Sequence, residues 1–170
     1  MDRNCLMDQS DGDTSDVRIT AIGSLDAGKS TLISVLTRTI RDDGHGSARK
    51  ELTNYNPKKD NGNTTDLGQE IMGFDEADQF VHFEYTAEKR KTYWKDVMYR
   101  AKRLVTFIDL CGQESKLKTT MAGLVGHKPD YSMVVLGADQ GVQSITSEHI
   151  GIAYTLSMPF FVVITKTDLE

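Results

Sequence analysis

The sequence predicts an α/β domain with a mostly parallel central sheet and helices on both of its faces. Along the 170 residues, apolar strand-like runs alternate with segments whose apolar residues recur at helical spacing. That alternation is typical of parallel strands joined by helices. A glycine-rich string at residues 23–30 separates the first strand-like run from the first helix-like run. Sheets of this class bind ligands at the carboxyl ends of their strands, so functional residues are expected there.

The individual elements follow from local composition and periodicity. Residues 1–16 are polar and acidic and are predicted to form a disordered tail, which leaves 17–170 as the folded domain. Residues 41–75 are rich in Gly, Asn, Asp, Lys and Thr, and are predicted to be a long functional loop. The other predictions, in chain order, are a strand at 17–22, a helix at 29–40, a strand through Val81, Phe83 and Tyr85, a helix at 94–101, a strand at 103–108, a helix at 117–125, a strand at 131–136, a helix at 145–156 and a strand at 160–164.

Bulk composition narrows the class of protein. The formal net charge is −5, which gives no support for a general or sequence-specific nucleic-acid binder. No apolar run approaches the roughly 20 residues that cross a bilayer, and the first residues lack the apolar core of a signal peptide. Cys5 and Cys111 suggest neither a disulfide framework nor a metal cluster. A cytoplasmic protein without a membrane partner is therefore expected.

The string Gly23-Ser24-Leu25-Asp26-Ala27-Gly28-Lys29-Ser30 has the spacing of a phosphate-binding loop, and Thr31 continues it into the helix. Glycines allow successive backbone amides to point inward and form a nest for anions, to which the helix adds its positive end. Lys29 is predicted to reach the terminal phosphates of a nucleotide as a catalytic and binding residue. The Ser30 hydroxyl is predicted to bind Mg²⁺.

A second motif, Asp109-Leu110-Cys111-Gly112, follows the strand at 103–108. An aspartate there can hold Mg²⁺, and the glycine leaves its amide free to approach the terminal phosphate. The next residue, Gln113, is favoured as a catalytic residue that orients the attacking water, although a solvated position at the start of the following helix stays open.

A third motif, Thr165-Lys166-Thr167-Asp168, ends the last predicted strand. The Asp168 carboxylate can accept two hydrogen bonds from the Watson–Crick edge of guanine, whereas adenine offers only one donor there. A site built for two bonds rejects the base that lacks one of the donors. The stem of Lys166 can pack over the base.

Three further residues have more than one interpretation. Thr64 is favoured over Thr65 as the residue of the long loop that reaches Mg²⁺ when a γ-phosphate is bound. The Asp26 carboxylate either accepts hydrogen bonds from loop amides or binds a monovalent cation. His149 lies on the apolar face of its helix and is predicted to be a buried core residue rather than a ligand.

With these motifs in order, the chain resembles the G domain of translational-type GTPases, and within them the eukaryotic GTP-binding protein 1 and 2 group. The matching stretches are residues 25–32, 71–75, 105–110, 117–120, 126–130 and 161–166. The resemblance implies a P-loop fold, GTP and GDP as ligands with Mg²⁺, Thr64 as the threonine of the first switch, and a switch function linked to the ribosome or to RNA surveillance.

The chain departs from that family at three places. Gln113 stands where translational GTPases usually carry the histidine that the ribosome aligns, and Cys111 replaces the usual Pro or Ala. The helices and strand that follow the guanine motif in the family are absent after Glu170, so an incomplete G domain with an exposed apolar last strand is expected. The predicted activity is Mg²⁺-dependent hydrolysis of GTP. The alternatives are a non-catalytic guanine-nucleotide-binding fragment and a P-loop kinase or ATPase.

Overall fold

The structure, a computed structural model, describes residues 15–52, 68–83 and 92–169. Within these ranges strands and helices alternate along the chain. The strands are β1 (Ser15–Ile22), β2 (Gly68–Phe74), β3 (Arg103–Asp109), β4 (Tyr131–Gly137) and β5 (Phe160–Thr165). The helices are α1 (Lys29–Arg38), α2 (Ser47–Lys50), α3 (Tyr93–Arg100), α4 (Leu117–His127) and α5 (Ser144–Thr155), with a short 3-10 helix at Glu114–Lys116.

The strands form one five-stranded sheet in the order β2-β3-β1-β4-β5. β1 lies between β3 and β4 and is parallel to both, and β5 is parallel to β4. Among the ladders of the described strands, only the one between β2 and β3 is antiparallel. The predicted mostly parallel sheet is therefore confirmed, and the carboxyl ends of β1, β3, β4 and β5 meet at one edge.

Helices cover both faces of the sheet because the strand side chains alternate in direction. Ile33 of α1 packs against one set of strand residues, namely Ala21, Phe107, Met133 and Val135. Leu124 of α4 and Ala153 of α5 pack against the opposite set, namely Ile22, Ile108 and Val134. The two apolar layers fix the sheet between the helices and hold its functional edge in place.

The antiparallel strand β2 contradicts the prediction of a single long loop at 41–75. Gly68, Glu70 and Gly73 interrupt the apolar pattern of this segment, which is why its sequence does not indicate a strand. In the structure Glu70 is buried, and its carboxylate pairs with Arg38 of α1 at 2.5 Å. A Cβ on Gly73 would lie 2.8 Å from side-chain atoms of both Val97 and Ala101, so close packing of α3 explains this glycine. The short helix α2 is a second departure from the predicted loop.

The predicted strand through Val81 and Phe83 is also wrong where the structure describes it. After β2 the chain turns at Asp75, and a single bridge joins Phe74 to Phe80. The Val81 N–H donates to the Gly73 carbonyl at 2.9 Å, but no strand forms at 81–83. Tyr85 lies outside the described residues. The alternation of apolar residues here reflects a buried Val81 beside the end of β2.

Boundaries of the remaining elements agree with the predictions to within a few residues. β1 begins at Ser15, two residues before the predicted start, and α1 ends at Arg38 rather than at residue 40. Thr39 adopts a left-handed φ of 57°, and its N–H bonds the Val35 carbonyl, which closes the helix. None of the helices in the described ranges combines the length and apolar character that a bilayer crossing requires.

β5 forms one edge of the sheet and exposes much of its apolar surface. Phe160 and Phe161 are each 42% exposed, Val162 is 51% exposed and Ile164 is 61% exposed. Its hydrogen-bonded neighbour in the sheet is β4. Within the described residues, apolar side chains of this strand are therefore exposed at the edge of the sheet.

Candidate functional site

The glycine-rich loop turns sharply between β1 and α1. Gly23 has φ +142°, and a Cβ there would lie 2.3 Å from the Val135 carbonyl oxygen, so no larger residue fits. Gly28 has φ +84° and forms the N-cap of α1, and Asp26 also adopts a left-handed φ of 57°. The Asp26 side chain is exposed, and both explanations of its charge stay hypotheses.

Lys29 opens α1 and turns its ammonium back over the loop. Its Nζ donates to the carbonyl oxygens of Ser24 at 2.7 Å and Gly23 at 3.3 Å. The residue is 6% exposed, and burial lowers the pKa of its ammonium group, an effect that the nearby Asp109 carboxylate opposes. An anion bound in the loop would favour the charged form of Lys29 again.

Ser30 and Asp109 come together although 79 residues separate them. The Ser30 hydroxyl, at the start of α1, donates to Oδ2 of Asp109 at the end of β3. Both side chains are buried. Hydroxyl and carboxylate oxygens are the donors that Mg²⁺ takes together with phosphate oxygens and waters, so this pair fits the ion chemically.

Gly112 packs directly against the loop. A Cβ there would lie 2.6 Å from Lys29 Nζ and 2.7 Å from the Gly23 carbonyl oxygen. The two preceding residues are both buried. Leu110 belongs to the core beneath α4 and α5, and the carbonyl of the buried Cys111 accepts a 3.0 Å hydrogen bond from Thr120.

The third motif is tied to the loop by Thr165. Its Oγ1 donates to the Ala27 carbonyl at 2.7 Å, which fixes the end of β5 against the phosphate loop. Lys166 has φ 57°, and its ammonium forms a 2.9 Å ion pair with Asp139. Asp168 is exposed at the end of the motif, as is Thr167.

A cavity of about 700 Å³ opens over these motifs. Ten of the predicted site residues line it, namely Leu25, Asp26, Gly28, Lys29, Ser30, Thr31, Gly112, Thr165, Lys166 and Asp168. This cavity is not lined by the other predicted residues of the three motifs, namely Gly23, Ser24, Ala27, Asp109, Leu110, Cys111 and Thr167. The structure thus brings three motifs that are distant in sequence to one cavity.

Gln113 lies on a different side of the loop. It lines a neighbouring cavity of about 520 Å³ together with Ser24, Leu25, Gly112 and the start of α5. Its side chain is half-buried, and the 3-10 helix follows it directly. Thr64 and Thr65 lie outside the described residues. The roles predicted for Gln113 and Thr64 therefore stay predictions.

Two contacts at this edge were not anticipated from the sequence. Asp139, which follows β4, forms an ion pair with Lys166. Its position after a parallel strand is the sequence feature that could have indicated a role at this edge. His149 of α5 is fully buried as predicted, but its Nδ1 also accepts a 3.2 Å hydrogen bond from the Gly23 N–H. Burial, and secondarily the charge of Lys29, lower the pKa of His149 to about 4.

The fold and the arrangement of these motifs define a P-loop G domain. The chain belongs to the family described as Elongation factor Tu GTP binding domain, which matches residues 15–170. It is 40% identical over 159 residues to GTP-binding protein 1 of Xenopus laevis, covering 94% of this chain and 24% of that protein. It is 36% identical over 156 residues to GTP-binding protein 2 of Mus musculus, covering 91% of this chain and 25% of that protein.

These identities confirm the resemblance inferred from the motifs, and the chain spans about a quarter of the length of both curated relatives. Solved structures of low identity agree on the fold. A bacterial selenocysteine-specific elongation factor, EF-Sec, superposes with a TM-score of 0.63 at 21% identity, over 92% of this chain and 21% of that one. The elongation factor SelB of Methanococcus maripaludis, in complex with the GTP analogue GppNHp, superposes with a TM-score of 0.57 at 20% identity. The match covers 93% of this chain and 24% of that one.

Proposed function

We propose that this chain binds GTP in the 700 Å³ cavity and hydrolyses it slowly with the help of Mg²⁺. The observation that carries the proposal is the convergence of Lys29, Gly112 and Asp168 on one cavity. A lysine at the start of a helix suits the terminal phosphates, and a free amide suits the γ-phosphate. The carboxylate of Asp168, in the motif at 165–168, suits a base such as guanine that has two adjacent hydrogen-bond donors.

The Ser30 and Asp109 oxygens are the proposed protein contacts of Mg²⁺. When bound, this ion would neutralise charge that develops on the phosphate oxygens during transfer. Thr64 is proposed to complete the set when GTP is present. Its sequence position supports this, because it precedes Gly68 by four residues and Gly68 is paired with Asp109. Four residues span at most about 14 Å.

Asp168 is the proposed reader of the base. Its exposed carboxylate lies at the end of the cavity formed by 163–166, where the Lys166 stem can cover one face of a guanine ring. The Lys166 ammonium is held by its ion pair with Asp139. A monovalent cation beside Asp26 is also proposed, since the loop otherwise places a carboxylate near phosphates.

Hydrolysis requires a water in line with the γ-phosphate, and Gln113 is proposed to orient it. In the structure Gln113 lines the neighbouring cavity and not the nucleotide cavity, so this role requires its side chain to move toward the γ-phosphate when GTP binds. The same observation favours a second candidate function, which is guanine-nucleotide binding without appreciable hydrolysis. A switch role with the ribosome or RNA surveillance in the cytoplasm is proposed from the family alone.

Single-turnover hydrolysis of GTP separates the two candidates. We expect the wild type to hydrolyse bound GTP, and Gln113→Ala to slow that step without weakening GTP binding. Gln143→Ala is the matched control, because Gln143 lines the same cavity and donates to the Gln140 carbonyl instead. Equal rates for all three proteins would remove Gln113 from the mechanism. Tight GTP binding with no turnover in the wild type would favour the binding module.

A further inference from the structure

The short helix α2 places an arginine in the wall of the nucleotide cavity. Arg49 lines that cavity together with Lys29, Ser30 and Gly112. Its side chain is half-buried rather than extended into solvent. The sequence gives no signal for this position, because the polar composition of residues 41–75 predicts a loop.

α2 is held firmly against the helix that carries Lys29. Ala48, which precedes Arg49, is fully buried, and its carbonyl accepts a hydrogen bond from the Ser34 hydroxyl of α1. The Ala48 N–H donates to Oδ1 of Asp42 at 3.0 Å. These contacts fix the backbone of α2 relative to the phosphate loop, so the position of Arg49 is set by the core of α1.

The turn before α2 is also organised by its own side chains. Oδ1 of Asp43 accepts hydrogen bonds from the N–H groups of His45 at 2.8 Å and Ser47 at 3.1 Å. These backbone donors lower the pKa of Asp43 to about 2. The turn therefore keeps its shape across the neutral pH range, which limits the conformations available to Arg49.

The charge of Arg49 and its position near Lys29 suit the binding of an anion. The Arg49 guanidinium is near enough to Lys29 to contribute to the lowered pKa of that lysine. Asp26 and Asp42 also line this cavity, so its wall carries charges of both signs, and Arg49 places a second cation near Lys29. A nucleoside triphosphate carries more negative charge than one lysine and one Mg²⁺ neutralise, and a planar guanidinium binds two phosphate oxygens at once.

We propose that Arg49 is a phosphate-binding residue of this site, which donates its guanidinium from α2 to the γ-phosphate oxygens of bound GTP. Charge on these oxygens shifts during hydrolysis, so a guanidinium supplied from within the same chain would stabilise the transition state more than bound GTP or GDP. This inference rests on the proposed function, because it requires a nucleoside triphosphate in the cavity.

Three variants test the proposal: Arg49→Ala, Arg49→Lys and, as control, Lys50→Ala. Lys50 is the exposed neighbour on the same helix, and its removal takes away one positive charge without touching the cavity wall. We expect Arg49→Ala to slow single-turnover GTP hydrolysis by at least about 100-fold, Arg49→Lys to recover part of the loss, and Lys50→Ala to match the wild type.

Binding supplies a readout that does not depend on turnover. We expect Arg49→Ala to bind GDP within about threefold of the wild type but to lose the tightening of GDP binding that aluminium fluoride, a mimic of the transferring phosphoryl group, produces. Added guanidinium chloride at low concentration should restore part of the hydrolysis rate of Arg49→Ala, which a purely structural defect would not allow.

The possible outcomes distinguish a failure of the Arg49 proposal from a failure of the proposed GTP binding and hydrolysis. A wild type that binds neither GDP nor GTP would overturn the proposed function. A wild type that binds and hydrolyses GTP, with an Arg49→Ala variant that matches it in rate and in the aluminium fluoride response, would overturn the role of Arg49 alone. Equal loss in Arg49→Ala and Lys50→Ala would also overturn it, since general charge would then be the cause.

Discussion

The Nδ1 atom of His149 accepts a hydrogen bond from the backbone N–H of Gly23 at 3.2 Å. This contact joins α5 to the first residue of the phosphate loop. Both groups are buried, and within the described part of the chain the Nε2 atom of the same ring has no hydrogen-bond partner. The imidazole must be neutral at Nδ1 to accept the bond, so the contact depends on the protonation state of His149.

Acidification should therefore destabilise the fold through His149. Its pKa is about 4 in the folded chain against 6.5 ordinarily, so the unfolded chain binds more protons between these values. This contribution to stability is fully present above pH 6.5 and decreases toward pH 4, by on the order of 3 kcal/mol in total. Urea unfolding across this range measures the loss. His149→Asn keeps an acceptor and does not titrate, and a profile as steep as that of the wild type would contradict the assignment.

Substitution of Gly112 should disturb nucleotide binding without unfolding the chain. In Gly112→Ala the new Cβ would lie 2.6 Å from Lys29 Nζ and 2.7 Å from backbone atoms of Gly23 and Ser24, so both the lysine and the loop backbone must move. We expect GTP affinity to fall by about tenfold or more, equivalent to roughly 1.4 kcal/mol. Gly151→Ala is the control, because a Cβ at this position of α5 would meet no atom within 4 Å. Equal GTP affinity in both variants would show that the close approach is tolerated.

The buried ion pair between Arg38 and Glu70 should be a point of sensitivity for stability. Their side chains are 0% and 6% exposed, and the Arg38 guanidinium also lies 4.0 Å from the centroid of the Tyr93 ring. Glu70→Gln leaves a buried guanidinium without this carboxylate, which costs about 3–5 kcal/mol of unfolding free energy. Arg38→Met combined with Glu70→Leu should recover most of that loss in chemical denaturation. If the double variant loses as much unfolding free energy as Arg38→Met and Glu70→Leu lose in total when made singly, the two residues are not coupled.

The same pair explains what the sequence could and could not predict. β1, β3, β4 and β5 are apolar runs whose character is local, so periodicity located them. β2 depends on partners that are far away in sequence. The buried carboxylate of Glu70 is compensated by Arg38. Gly73 allows the close approach of Val97 and Ala101. Such compensation cannot be inferred from a window of neighbouring residues.

The candidate site divides in a similar way. The residues around Lys29, Asp109 and Asp168 were predicted because motif spacing encodes their position at strand ends. Arg49, Asp139 and His149 carry no motif, and their proximity to the cavity arises from the packing of α2, the β4 end and α5. The location of Gln113 in the neighbouring cavity depends on the loop conformation, which its sequence does not specify.

β5 lies at the edge of the sheet within the described residues, so a protein of these 170 residues should self-associate. Phe160, Phe161 and Val162 present apolar side chains at the edge of the sheet, where another strand can add. We expect the mass from light scattering to rise with concentration for the wild type and to rise less for Val162→Lys. Val142→Lys is the control, since Val142 is 65% exposed but precedes α5 and lies outside the sheet. A monomeric wild type at all concentrations would contradict this expectation.

The central element of the proposed function is the selection of guanine by Asp168. This residue lines the same cavity as Lys29, the proposed phosphate-binding lysine. Titration calorimetry of GTP, ATP and xanthosine triphosphate against the wild type and Asp168→Asn tests it most directly. We predict that the wild type binds GTP far more tightly than ATP. In Asp168→Asn we predict a loss of about 1–3 kcal/mol for GTP and a relative gain for xanthosine triphosphate, because the amide presents a donor where guanine also donates. Equal affinity of the wild type for GTP and ATP, or an unchanged ranking in Asp168→Asn, would contradict this role of Asp168.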